Sequence, residues 1–175
     1  MVVTARTAEL DAPTLAAART LLEQALDGDF SDHDWEHALG GLHALVWDGE
    51  ELIGHGSLVQ RRLLHRGRAL RAGYVEAVAV RANRRGQGFG AAMMAALEQA
   101  IDGAYEVGAL STTDAAAGFY VARGWRVWRG ATFVMADTGL ERTPGDDDGV
   151  HVWPGTAELD LDGDIACDWR AGDLW

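Results

Sequence analysis

Apolar and polar positions alternate weakly over Val2–Thr7, as in an opening strand. From Pro13 to Leu26 the spacing becomes helical. Leu15, Ala18, Leu22 and Ala25 share one face, and Pro13 suits a first turn. Gly28 ends that helix, and Ser31 or Asp32 can cap a short second one that runs to Gly40-Gly41. His43–Trp47 and Leu52–Leu64 predict antiparallel strands joined by an Asp48-Gly49 hairpin turn. Arg66-Gly67-Arg68 makes another turn, and Ala69–Val80 is the central strand. The pattern then predicts a long helix over Gly86–Ile101, with Gly103 beyond its end. A strand over Tyr105–Leu110, a helix over Thr113–Ala122 and a last core strand over Trp125–Met135 follow.

Past Asp137 the composition shifts. Pro144–Gly149 reads as irregular, and His151–Trp153 as one more strand. The closing run, CDWRAGDLW, carries too much apolar surface to be a solvated tail. A hairpin-rich first half followed by a βαβ second half makes an α/β (α+β) fold in three layers. One domain over residues 1–175 is expected, with a core over about 1–136 and a C-terminal extension over about 137–175.

The most informative stretch is Tyr74–Gly90, YVEAVAVRANRRGQGFG. Its β-branched first half is strand chemistry. Gly86, Gly88 and Gly90 then lead into strong helix formers. A helix that opens on closely spaced glycines presents bare backbone N–H groups and the positive end of its dipole, an anion cradle suited to pyrophosphate. A glycine-rich connection without a ligand is the plainer alternative.

Composition narrows the picture. The net charge of -12 argues against nucleic acid as a partner. The signs are segregated: Glu23, Asp27, Asp29, Asp32, Asp34 and Glu36 lie in a stretch without Arg or Lys. Eight arginines then lie between Arg61 and Arg85, with Glu76 the only acid among them, and acids dominate again from Glu141. The middle suits an anion and the two ends a cation. No signal peptide or membrane span is visible, and the single Cys167 reads as a small buried hydrophobe. A cytoplasmic protein is expected, with no membrane partner and no metal. Oligomeric state stays open, a homodimer through the His151–Trp153 strand being one arrangement.

Arg85-Gly86-Gln87-Gly88-Phe89-Gly90 resembles the [RQ]-x-x-G-x-[GA] signature of the GNAT N-acetyltransferase superfamily. The resemblance implies a loop holding the pyrophosphate of acetyl-coenzyme A, with Val78, Ala79 and Val80 offering backbone groups to the pantetheine arm. Phe119-Tyr120-Val121-Ala122-Arg123-Gly124-Trp125 resembles the superfamily segment whose second aromatic lies by the thioester sulfur, which makes Tyr120 the candidate acid. Acyl transfer also needs a base, and Glu76 is conspicuous. It can serve as base, bind the cationic amine, or form a salt bridge to Arg71 or Arg62.

A closer resemblance rests on Asp34-Trp35-Glu36-His37, Gly40–Leu45, Gln60–Leu63, Gly73–Glu76, Arg142-Thr143-Pro144 and Cys167–Trp175. Together these segments look like the aminoglycoside 2'-N-acetyltransferases. The likeness implies a polycationic substrate met by Asp29, Asp34, Glu76, Ser111, Asp146, Asp173 and Trp175, with the terminal carboxylate of Trp175 assisting catalysis. Each aspartate has a loop or capping role as its alternative, and Asp147 and Asp148 read as a solvated loop. Two other functions compete: acetyl transfer to another small cationic amine, and a non-catalytic acyl-coenzyme A sensor.

Overall fold

The computed structural model describes residues 1–175. Its contacts group into two compact units, Met1–Val59 with Val75–Ala100, and Gln60–Tyr74 with Ile101–Trp175. The chain passes from one to the other within two long strands and one helix.

In the first unit, β1 (Val2–Arg6), β2 (Leu42–Asp48) and the first part of β3 (Glu51–His65) pair antiparallel. Gly49, at φ 61°, closes the β2–β3 hairpin as its turn chemistry requires. Helix α1 (Ala12–Ala25) starts where the Asp11 carboxylate accepts from Thr14 N–H at 2.9 Å. It buries Ala18, Leu21 and Leu22 against Leu45, Leu52 and Ala79. Ser31 caps α2 (Asp32–His37), which stops short of the predicted Gly40-Gly41. Gly41 is forced by proximity, since a Cβ there would sit 2.0 Å from Leu58 O.

Helix α3 (Phe89–Ala104) begins three residues later than its pattern predicts. Gly86 and Gly88 hold φ +73° and +84°, which keeps them out of the helix. Gly103 lies inside α3, not beyond it. The first turns of α3 pack Met93 and Leu97 over Gly56 of β3, where any Cβ would press on both.

In the second unit, β4 (Arg68–Val80) pairs parallel with β5 (Val107–Ser111) through Ala72–Tyr74. β5 pairs antiparallel with β9 (Val150–Pro154), which also takes β6 (Arg126–Val127). The end of β3 carries β10 (Ile165–Asp168) antiparallel. β10 pairs parallel with β7 (Thr132–Ala136), and β7 antiparallel with β8 (Gly139–Arg142). Mixed pairing with helices between strands is an α+β arrangement.

The predicted strand Trp125–Met135 is broken into β6 and β7. A Cβ at Gly130 would lie 1.9 Å from Gly163 O, and the N–H groups of Arg129 and Gly130 both bond Leu161 O. That close backbone crossing diverts the chain from strand geometry. Pro144–Asp146, read as irregular, forms a short 3₁₀ turn. No helix is long and apolar enough to cross a membrane.

Candidate active site

The loop after β4 is exposed at Gly86, Gln87 and Gly88 and half-buried at Phe89 and Gly90. A Cβ on Gly86 or Gly88 would meet nothing within 4 Å. Backbone conformation, not crowding, therefore selects glycine there. The first-turn N–H groups of α3 have no intrahelical partner, so this geometry fits a pyrophosphate.

The arginines beside the loop are already engaged. Arg81 donates from Nε to Leu52 O at 3.0 Å and lies 3.3 Å from Glu51. Arg84 pairs with Asp48 at 2.8 Å. Arg85 bridges Val80 O and Ala25 O, both at 3.1 Å. Gln87 donates to Asn83 O at 3.4 Å. A cavity of about 240 Å³ opens beside them, lined by Leu21, Gln24, Ala25, Arg81, Ala82 and Asn83.

Val78 and Val80 are half-buried on β4, and Ala79 is buried. Glu76, half-buried, has its carbonyl bonded by Ser57 Oγ at 3.3 Å. At Ala77 the strand turns out of extended geometry, with φ at 50°. Asp29 is exposed just past α1. Asp34 takes the capping role: its Oδ2 accepts from Ser31 N–H at 2.7 Å and from Ser31 Oγ at 2.8 Å.

In the second unit Tyr120 sits near the end of α4 (Asp114–Arg123), which Gly124 closes at φ 108°. Its ring meets Phe119 and Trp125 edge-on, at centroid distances of 5.1 and 6.1 Å. Burial pushes its phenol up to about 12. Ser111, the last residue of β5, is exposed, and its Oγ lies near Gly149.

The C-terminal segment is tied down. Arg61 donates from Nε to Asp168 Oδ1 and from Nη2 to Asp168 O, both at 2.7 Å. The Cys167 thiol, pushed up to about 11 by burial, donates to Leu174 O at 3.3 Å. Arg170 Nε donates to Asp173 O at 2.6 Å. Trp175 is buried, and its indole N–H donates to Thr143 Oγ1 at 3.1 Å. The chain of bonds continues from Thr143 Oγ1 to Thr132 Oγ1 at 2.9 Å and on to Asp147 Oδ1 at 2.8 Å.

Asp147 is therefore an anchor rather than a solvated loop residue. Hydrogen bonds from the Arg142 guanidinium, helped by Thr132, hold its carboxyl far below the usual carboxylate range. Its neighbour Asp146 behaves oppositely. Burial pushes Asp146 up, a Thr143 hydrogen bond opposes this, and the Asp173 and Asp147 charges add to the rise. Asp146 and Asp173, two of the predicted substrate contacts, thus come within electrostatic reach of each other.

Residues 8–125 match the family model described as acetyltransferase (GNAT) family. The chain belongs to that family. This acetyltransferase is 53% identical over 173 residues to the aminoglycoside 2'-N-acetyltransferase of Mycolicibacterium fortuitum, covering 97% of this chain and 89% of the relative. It shares a fold with a GNAT family N-acetyltransferase from Escherichia coli solved with CoA. The TM-score there is 0.68 at 15% identity, over 97% of this chain and 89% of that one. A GNAT family acetyltransferase from Brucella melitensis, solved with acetyl-CoA, matches at TM-score 0.63 and 16% identity, over 98% and 97%. Three longer structures are matched over only 33% to 34% of their own length.

Proposed function

We propose that this acetyltransferase moves the acetyl group of acetyl-coenzyme A to the 2'-amine of an aminoglycoside, by direct attack in a ternary complex. The likeness to the M. fortuitum aminoglycoside enzyme carries the reading, because it extends over 97% of the chain. The clustering of acids towards both ends of the chain agrees with a cationic substrate.

Bound acetyl-coenzyme A would supply an activated thioester. Gly86, Gln87, Gly88, Phe89 and Gly90 would hold its pyrophosphate through backbone N–H groups, and Val78, Ala79 and Val80 its pantetheine arm. Arg85 contributes charge while bracing the loop. Asp29, Asp34, Ser111, Asp146 and Asp173 would meet the ammonium groups of the sugar rings. Glu76, through ordered water and with help from the Trp175 carboxylate, would take the proton of the attacking amine.

Tyr120 keeps its proton at neutral pH, since burial pushes it up to about 12. Tyr120 would donate to the charge developing on sulfur and serve as the acid for the departing thiolate. A cytoplasmic location and antibiotic resistance belong to the same proposal, following from its co-substrate and its acceptor.

A thiol-release assay tests the proposal, comparing aminoglycosides that carry a 2'-amine with analogues that carry a 2'-hydroxyl. Turnover confined to the amines is expected. Turnover with both removes the regiochemistry. Turnover with neither, but with other small amines, replaces the acceptor.

A further inference from the structure

His43 and His55 are both 0% exposed, and no step above uses them. Their rings lie 5.2 Å apart on β2 and β3. They belong to one unbroken chain of hydrogen bonds. Gly40 N–H donates to Thr7 Oγ1 at 2.8 Å, and Thr7 Oγ1 meets His43 Nε2 at 2.7 Å. His43 Nδ1 meets His55 Nε2 at 2.9 Å, and His55 Nδ1 meets Ala77 O at 2.9 Å.

The far end fixes every proton. A carbonyl oxygen only accepts, so His55 Nδ1 carries a hydrogen. With His55 neutral, its Nε2 accepts from His43 Nδ1–H. His43 Nε2 is then an acceptor too, and the Thr7 hydroxyl donates to it. Burial lowers both histidines, His55 to about 4, which keeps both rings neutral at pH 7. A chain that ends on a carbonyl cannot deliver a proton. It can only orient.

The carbonyl it holds belongs to Ala77, whose φ of 50° a residue other than glycine rarely adopts. Ser57 Oγ holds the preceding carbonyl, that of Glu76. Two side chains of β3 thus take consecutive carbonyls of β4. In a trans peptide the C=O and the following N–H point in opposite directions. With Ala77 O turned towards His55, Val78 N–H points away from it.

We propose that His43 and His55, braced by Thr7, are positioning residues that lock the Ala77–Val78 peptide so that Val78 N–H is held for the acyl carbonyl. This rests on the acetyl-coenzyme A reading given above. The histidines touch neither substrate; they act through one backbone amide.

His55→Leu removes the donor to Ala77 O. His55→Asn keeps an N–H near the Nδ1 position. The leucine variant should lose roughly 10- to 100-fold in kcat, less than deletion of an oxyanion donor outright. Its KM for acetyl-coenzyme A and its affinity for coenzyme A should stay within about twofold, and the asparagine variant should recover most of the rate. Unchanged kcat in His55→Leu, or an asparagine no better than leucine, overturns the proposal.

Nitrogen-15 spectra of the imidazoles give a second readout that needs no variant to fold. Both rings should show protonated Nδ1 and bare Nε2 at pH 7, and the opposite tautomer on either ring overturns the chain. Calorimetry with coenzyme A on the unaltered protein separates the two levels of argument. No binding there defeats the cofactor reading, whereas normal binding with full rate in His55→Leu defeats only the role of the histidines.

Discussion

Replacing Thr143 with valine removes a hydroxyl that accepts from the Trp175 indole N–H and donates to Thr132 Oγ1 at 2.9 Å. Valine fills nearly the same volume, so no cavity opens, but the acceptor of the Trp175 indole N–H, 3.1 Å away, disappears. Trp175 is 5% exposed and Thr143 8%, so water does not readily take over. A buried donor left without a partner costs about 1–3 kcal/mol. For a chain of this size 1 kcal/mol corresponds to about 2–4 °C, so a loss near 2 kcal/mol lowers Tm by about 4–8 °C. Because the strap that ends on Trp175 loosens, KM for the aminoglycoside should rise several-fold while KM for acetyl-coenzyme A stays put. Thr143→Ser keeps the hydroxyl and gives up only a methyl, about 1 kcal/mol, so its aminoglycoside KM should match the parent. Thermal unfolding followed by circular dichroism and steady-state thiol release read both quantities. If Thr143→Val melts with the parent and binds substrate as well, the hydrogen bond does not fix the terminus.

Tyr120→Phe should lower kcat by roughly 10- to 100-fold with little change in either KM, read by thiol release. Equal losses in kcat/KM and in folding would instead make the residue a packing element. Gly88→Ala should raise KM for acetyl-coenzyme A and cost about 1–2 kcal/mol of stability through backbone strain alone, because its Cβ would meet nothing. A parent-like KM and Tm would show that the loop does not need φ +84° there. Stability should also rise with pH through the range set by His55. Its folded value is lowered to about 4 by burial, so below about 6.5 the unfolded chain binds a proton that the folded one refuses. The loss on acidification to about pH 4 is on the order of 3 kcal/mol, and His55→Asn should flatten it. A slope unchanged in that variant refutes the assignment.

What the sequence made legible was local. Ser31 as a cap, Asp48-Gly49 as a hairpin and the β-branched run before Arg81 need only near neighbours, and the resemblance of Arg85–Gly90 to a known signature rests on six consecutive residues. The break in Trp125–Met135 was not legible, because it comes from a backbone crossing with Gly163, over thirty residues away. Asp147 read, together with Asp148, as part of a solvated loop, and only its bonds to Thr132 and Arg142 show otherwise. His43 and His55 passed as strand residues, since a histidine whose partner is a carbonyl on another strand leaves no trace in spacing. Asp34 was read as a substrate contact with a loop or capping role as its alternative, and its bonds to Ser31 are capping bonds.

Arg85 holds the end of β4 and the end of α1 with one guanidinium, reaching two carbonyls at once. A lysine would keep the charge and lose the clasp, because a flexible ammonium point charge lacks the planar fork that spans both oxygens. Arg81 and Arg84 are committed in the same manner to β3 and to the hairpin that precedes it. The Arg85–Gly90 loop is thus held taut, so on the proposed reading little freedom is left for phosphate binding to remove. The preference for arginine along this stretch is, on that view, a matter of stiffness as much as of charge.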